Sequence, residues 1–154
     1  MAKDNKLVID NLNNEEKDTL KALLNLIIPS SEDGKMPSAS EVGFIDYLDK
    51  NKQIAWIQEW LLKIIEESQK KYGKSFHILS SSEQSELIDN LKRRFLIFFN
   101  RLTMEVIKCY YQDDTVLDGI GVDARPPFPN GQTLEEGDLS LLEPVYLRGK
   151  IYRD

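Results

Sequence analysis

The sequence predicts an all-α fold: a single-domain helical bundle of four to five helices over residues 13–111, carrying a long irregular, proline-rich C-terminal tail over residues 112–154. Three observations carry this. Apolar residues recur at spacings of three and four in successive segments, the period of an amphipathic helix. Asn and Ser stand before several of those segments, where helix caps belong. No segment alternates polar and apolar residues as a half-buried strand does.

Residues 1–12 are polar, and a flexible N-terminus is expected there. Asn13 is a candidate N-cap, with Glu16 three positions later as in a capping box. Leu20, Leu23, Leu24, Ile27 and Ile28 form the stripe of a first helix. Pro29 ends it, since proline lacks the N–H donor and disfavours a helical residue before it. Ser30 to Lys35, with Gly34, reads as a loop. Ser38 or Ser40 is positioned to cap a short second helix with Val42, Ile45 and Leu48 on one side.

Asn51 is the expected start of a third, longer helix. Its stripe is Ile54, Ile57, Leu61, Ile64 and Ile65, with Trp56 and Trp60 at its borders, and Gly73 supplies a left-handed C-terminal residue. After a linker from Lys74 to Leu79, Ser80 with Glu83, or Ser82 with Glu86, opens a fourth helix carrying Leu87, Ile88 and Leu91. That helix either continues into the next one or breaks near Lys92-Arg93-Arg94. The next element, Phe95 to Tyr111, is the heaviest of the core. Phe95, Phe98, Phe99, Leu102, Val106 and Tyr110 share one side of it, and burying each such side chain is worth about 1.5–3 kcal/mol.

Beyond Tyr111 helical periodicity is expected to stop. Asp113, Asp114 and Asp118 read as a solvated turn, because Val116 interrupts the oxygen ligands that a calcium loop needs. Yet the tail holds apolar anchors at Val116, Leu117, Ile120, Phe128, Leu134, Leu139, Leu141, Leu142, Val145 and Tyr146, too many for a freely solvated linker. The expectation is a tail packed on its own domain or on a partner.

At 154 residues the chain suits one domain with one core. Its net charge of -6 argues against a nucleic-acid partner, which needs a basic face. The tail holds nine acids against four bases, so five of those six negative charges fall there. No stretch reaches the ~20 apolar residues of a membrane span, so no direct membrane insertion is expected. The opening MAKDNKLVID lacks the apolar run of a signal peptide. The expected location is therefore cytoplasmic as written, or periplasmic if a leader was removed or a partner carries the export signal.

Catalytic and metal chemistry find little support. Cys109 is the single cysteine, so an internal disulfide is excluded, and its place in the aromatic helix suits a small buried hydrophobe. His77 is the single histidine, and Lys74 stands three positions before it, so the Glu-x-x-His pairs of a di-iron bundle are absent. Gly119-Ile-Gly121 echoes a dinucleotide fingerprint, but no strand precedes it and Pro126-Pro127 block the helix that should follow. No catalytic, cofactor-binding or metal residue is assigned. Arg125-Pro126-Pro127-Phe128-Pro129 differs in kind, because consecutive prolines favour an extended, pre-ordered display of Arg125 and Phe128. Together with Tyr146 these residues are the candidate partner-binding site; the competing account is a stiff turn packed on its own domain.

Taken in order, the motifs resemble the small, gamma-type subunit (subunit 3) family of gluconate 2-dehydrogenase. They are Leu24 to Pro29 (LNLIIP), Pro37-Ser-Ala39 with Glu41-Val-Gly43 and Ile45-Asp46, and Tyr72-Gly-Lys-Ser-Phe76 with Leu79, Glu83-Gln84 and Leu87-Ile88. Then come Phe98-Phe99, Thr103, Tyr110-Tyr111, and Pro126-Pro-Phe-Pro129 with Gly131. The resemblance covers roughly residues 16–150. It implies an all-helical accessory subunit with no redox cofactor of its own. The implied partner is a large FAD-dependent sugar or alcohol dehydrogenase subunit, often with a cytochrome c subunit alongside. Members commonly carry a twin-arginine leader, which this sequence lacks as written. The alternative class is a stand-alone small-ligand-binding bundle with a closed pocket lined by Trp56, Trp60 and Phe99. An enzyme in its own right is a third.

Overall fold

The computed structural model describes residues 12–122 and 137–149, apart from the side chain of Leu141. The chain divides into two compact units, Met1–Ala124 and Arg125–Asp154. The described residues are helical, with no strand among them.

The described residues of the first unit form six α-helices: α1 Asn14–Ile27, α2 Phe44–Lys50, α3 Ile54–Tyr72, α4 Ser81–Arg94, α5 Leu96–Tyr110 and α6 Asp114–Gly119. The first begins as its sequence predicts. The Asn13 side chain accepts the Glu16 N–H at 2.8 Å, and the Glu16 carboxylate accepts the Asn13 N–H at 2.8 Å. Glu16 is only 2% exposed and also accepts from the Gln58 amide of α3, so the cap is tied to a second helix. Leu12, expected in the flexible N-terminus, is instead buried at the head of α1.

Two helix starts differ from expectation. Ser38 does not cap α2; its N–H and hydroxyl both donate to Glu41, forming a separate turn, and α2 begins at Phe44. Asn51 closes α2 rather than opening α3: its side chain donates to the Tyr47 carbonyl at 2.7 Å, and Lys52 then takes a left-handed φ of 55°. Gly73 ends α3 in the left-handed conformation, as predicted. The linker behind it is not all loop, since Phe76–Ile78 form a 3₁₀ turn that buries Phe76 completely.

The open alternatives at α4 and α5 are resolved. Ser80 with Glu83 forms the capping box of α4. The break to α5 falls at Phe95, whose ψ of 45° leaves the helical range, and the basic run Lys92-Arg93-Arg94 fills the last turn of α4, where cations offset the helix dipole. The buried face of α5 is Phe98, Phe99, Leu102, Val106, Cys109 and Tyr110, so Phe95 drops out of the predicted stripe and sits half-buried at the corner. Leu20, Leu23 and Leu24 of α1, Ile57, Leu61 and Ile64 of α3, and Leu87, Ile88 and Leu91 of α4 complete the core.

Helix formation does not stop at Tyr111. Asp113, read from sequence as part of a solvated turn, accepts from the N–H groups of Thr115 and Val116 and starts α6. Val116 is 0% exposed and belongs to the core. At six residues, α6 is too short for a hydrophobic period to be legible. In the second unit, Leu139–Leu142 form a 3₁₀ turn and Glu143–Arg148 form α7, with Pro144 in its first turn, where proline is tolerated. Both are short elements within the tail predicted from sequence.

Candidate partner-binding surface

The side chains that stand out chemically lie where α3 passes the corner between α4 and α5. Trp56 and Trp60 are one helical turn apart on α3, so they share a face. Trp60 stacks on Phe98 at 4.1 Å and meets Phe95 edge-on at 5.2 Å, and Trp56 meets Phe98 at 5.5 Å. Cations cover this aromatic cluster. The Arg101 guanidinium lies 4.2 Å from the Trp56 ring, the Lys63 ammonium 4.1 Å from Trp60, and Arg94 5.1 Å from Phe95. Such contacts are worth about 0.5–1 kcal/mol each at exposed sites.

The cluster floors an open groove of about 430 Å³, whose rim includes Arg93, Leu96 and Ile97. Ile97 is 86% exposed and Leu96 59%. Arg94 is paired with Glu67 at 3.1 Å, but Arg93 and Arg101 form no ion pair among the described residues. Exposed apolar side chains continue along α5 at Met104 and, at its C-terminal cap, Tyr111, each seven positions from the last. Tryptophan and arginine beside exposed aliphatic groups make up the composition that dominates interface hot spots.

On the inner side of α5, Glu105 is nearly buried and accepts from the Tyr47 hydroxyl at 2.7 Å and the Lys108 ammonium at 2.8 Å. Those two bonds hold its carboxyl below the usual range, the Lys108 bond contributing most. Burial, followed by the Glu105 bond, pushes Tyr47 up to about 12. This network ties α2 to α5 and reads as structural. Burial also pushes the Cys109 thiol up to about 11, away from the thiolate a nucleophile requires. Among the described residues, no three His, Cys, Asp or Glu side chains gather as metal ligands would.

Of the partner-binding residues predicted from sequence, Arg125, Pro126, Pro127, Phe128 and Pro129 lie outside the described residues. Tyr146 lies on α7 and is 77% exposed, beside Leu147 at 86%. The pocket expected for a small-ligand binder does not form as one cavity. Trp56 and Trp60 share the groove with Phe98, whereas Phe99 lines a separate recess with Leu23, Ile88 and Thr103. Sequence reasoning missed Arg93, Leu96, Ile97 and Arg101. A signal was present: Phe95 to Phe99 is apolar at five consecutive positions, and a helix packed on one face needs only about half of them.

Comparison with known proteins identifies a family model described as gluconate 2-dehydrogenase subunit 3, which matches residues 14–120. No curated protein and no solved structure matches the chain.

Proposed function

We infer the role of this chain from its family: it belongs to the gluconate 2-dehydrogenase subunit 3 family, and we propose that it is an accessory subunit that binds and stabilises or matures a large FAD-dependent sugar or alcohol dehydrogenase. FAD belongs to that partner, and this chain contributes contact surface rather than chemistry. A cytochrome c subunit is a further candidate member of the complex. The observation that supports the reading best is the Trp56–Trp60 groove with its exposed Leu96, Ile97 and arginines. A side chain such as Ile97, left 86% exposed, gains nothing in the isolated chain, and a partner that covers it recovers the burial energy.

In this reading the tail is a second contact. Arg125 is suited to a bidentate bond with a carboxylate of the partner, Phe128 and Tyr146 to apolar pockets, and Pro126, Pro127 and Pro129 reduce the entropy lost on ordering. Assembly with the dehydrogenase places the chain wherever that enzyme resides, in the cytoplasm or, through an export signal on the partner, in the periplasm.

Co-purification tests the proposal. The tagged chain, co-expressed with an FAD-dependent sugar or alcohol dehydrogenase from the same genome, should retain that flavoprotein at a fixed ratio through size-exclusion chromatography. Elution of the two as separate species would contradict it.

A further inference from the structure

We propose that the outer face of α5, together with the Trp56–Trp60 groove, is the docking site for an acidic amphipathic helix of the partner protein. This rests on the accessory-subunit reading and assigns the chemistry of the segment recognised. Ile97, Met104 and Tyr111 are exposed at 86%, 55% and 51% and recur every seven residues. Seven residues are close to two helical turns, so these three side chains form one row of the kind that supplies half of a helix-packing seam, and fourteen residues give it a length of about 21 Å. The helix itself is secured from behind, because its opposite face is the heaviest part of the core. The seam is therefore a rigid, preformed surface rather than a core stripe turned outward.

Charge selects the partner. The chain as a whole carries -6, yet the cations beside this face are Arg93, Arg94, Lys63 and Arg101 at the groove and Lys108 along the helix. Lys63, Arg94 and Lys108 already have carboxylate partners in Glu59, Glu67 and Glu105. Arg93 has none among the described residues, and Arg101, which faces Trp56 and acts on Glu105 only through its charge, makes no direct ion pair there, so these two are the ones left to bond an incoming carboxylate. The last-turn position of Arg93 accounts for a positive charge at the end of α4, but not for its place on the groove rim. The segment that fits carries apolar residues at heptad spacing, to cover Ile97, Met104 and Tyr111, and Asp or Glu at the end that reaches Arg93 and Arg101. A carboxylate there makes charge-assisted, fork-shaped bonds.

The chain's two tryptophans both line the groove, so intrinsic fluorescence reports its occupancy directly. The test uses the full chain, a tryptophan-free synthetic Leu/Glu heptad peptide, its Leu/Lys counterpart and inorganic polyphosphate. The Glu peptide should shift the emission at least about tenfold more tightly than the Lys peptide, and R93E/R101E, which also gives up the Arg101 contact to Trp56, should abolish that preference while the chain stays folded at the assay temperature by circular dichroism. A second variant, Ile97→Asp, should weaken the Glu peptide without unfolding the chain, given its exposure. Equal response to both peptides, or a stronger response to polyphosphate, overturns the assignment. Concentration-dependent dimerisation that R93E/R101E and Ile97→Asp abolish overturns it in favour of a second copy. Affinity for the flavoprotein is measured in parallel. Peptide binding without flavoprotein binding contradicts the accessory-subunit reading and leaves the groove's chemistry standing. Flavoprotein binding that R93E/R101E leaves unchanged overturns the docking site and leaves the accessory role standing.

Discussion

Trp60 of α3 lies flat against Phe98 of α5, with ring centroids 4.1 Å apart and planes 12° from parallel. This contact joins two central helices and also floors the groove, so it couples stability to the candidate surface. Trp60→Ala should cost about 2–3 kcal/mol by urea denaturation, below the value for a fully buried tryptophan because this one is half-buried. Trp60→Phe, which keeps an aromatic face, should recover most of it.

The two halves of the α1 capping box should differ in weight. Asn13→Ala removes one bond to an N–H of α1 and should cost about 1 kcal/mol. Glu16→Ala should cost more, about 2 kcal/mol, because it removes the reciprocal bond and also the bonds that the Gln58 amide of α3 donates to that carboxylate. Thermal melts of the two variants check the order.

The Glu105 network sets the acid and alkaline limits. Because the folded protein holds the Glu105 carboxyl below its ordinary value of 4.5, its contribution is fully present above that pH and is lost as pH falls through the lowered value. Tyr47 works in the opposite sense. Its folded-state value is raised to about 12 from an ordinary 10.0, so the folded state holds the phenolic proton that the unfolded chain releases. The Tyr47 contribution should be constant below pH 10 and decline between about 10 and 12. Denaturation midpoints against pH should show both slopes in the wild type, a reduced acid slope in Glu105→Gln and a reduced alkaline slope in Tyr47→Phe.

Val116 and Tyr146 separate core from surface within residues 112–154. Val116→Ala should destabilise the chain by about 2 kcal/mol, since its side chain is 0% exposed. Tyr146→Ala, at 77% exposure, should leave the melting temperature unchanged. Equal effects of the two would mean that α6 is not part of the packed unit.

The helical class and the course of α1, α3, α4 and α5 were legible because each is long enough to repeat its apolar stripe several times. Asn13-Glu16, Ser80-Glu83 and Gly73 marked ends that the structure keeps. What sequence could not show were elements shorter than two turns. In α6 a single buried valine and one aspartate cap do the work that periodicity does elsewhere, and Ser38 found Glu41 instead of a helix terminus. The groove was half legible. Trp56 and Trp60 were placed at the border of their stripe, but Arg93 and Arg101 are brought beside them only by the break at Phe95, which depends on tertiary packing. The candidate residues from Arg125 to Pro129 rest on their own chemistry.

The tail contact has its own test. Arg125→Ala with Phe128→Ala should leave the melting temperature intact and lower affinity for the flavoprotein by more than about tenfold, about 1.4 kcal/mol. A lower melting temperature with unchanged affinity per folded molecule would assign these residues to their own domain instead.

The central claim, an accessory role toward a flavin-dependent dehydrogenase, is tested most directly by the flavin content of the soluble partner produced with and without this chain. Omission should lower soluble, flavin-loaded dehydrogenase several-fold or more, and restoring the chain should recover it. A partner that is fully soluble, flavin-loaded and active on its own would contradict the account.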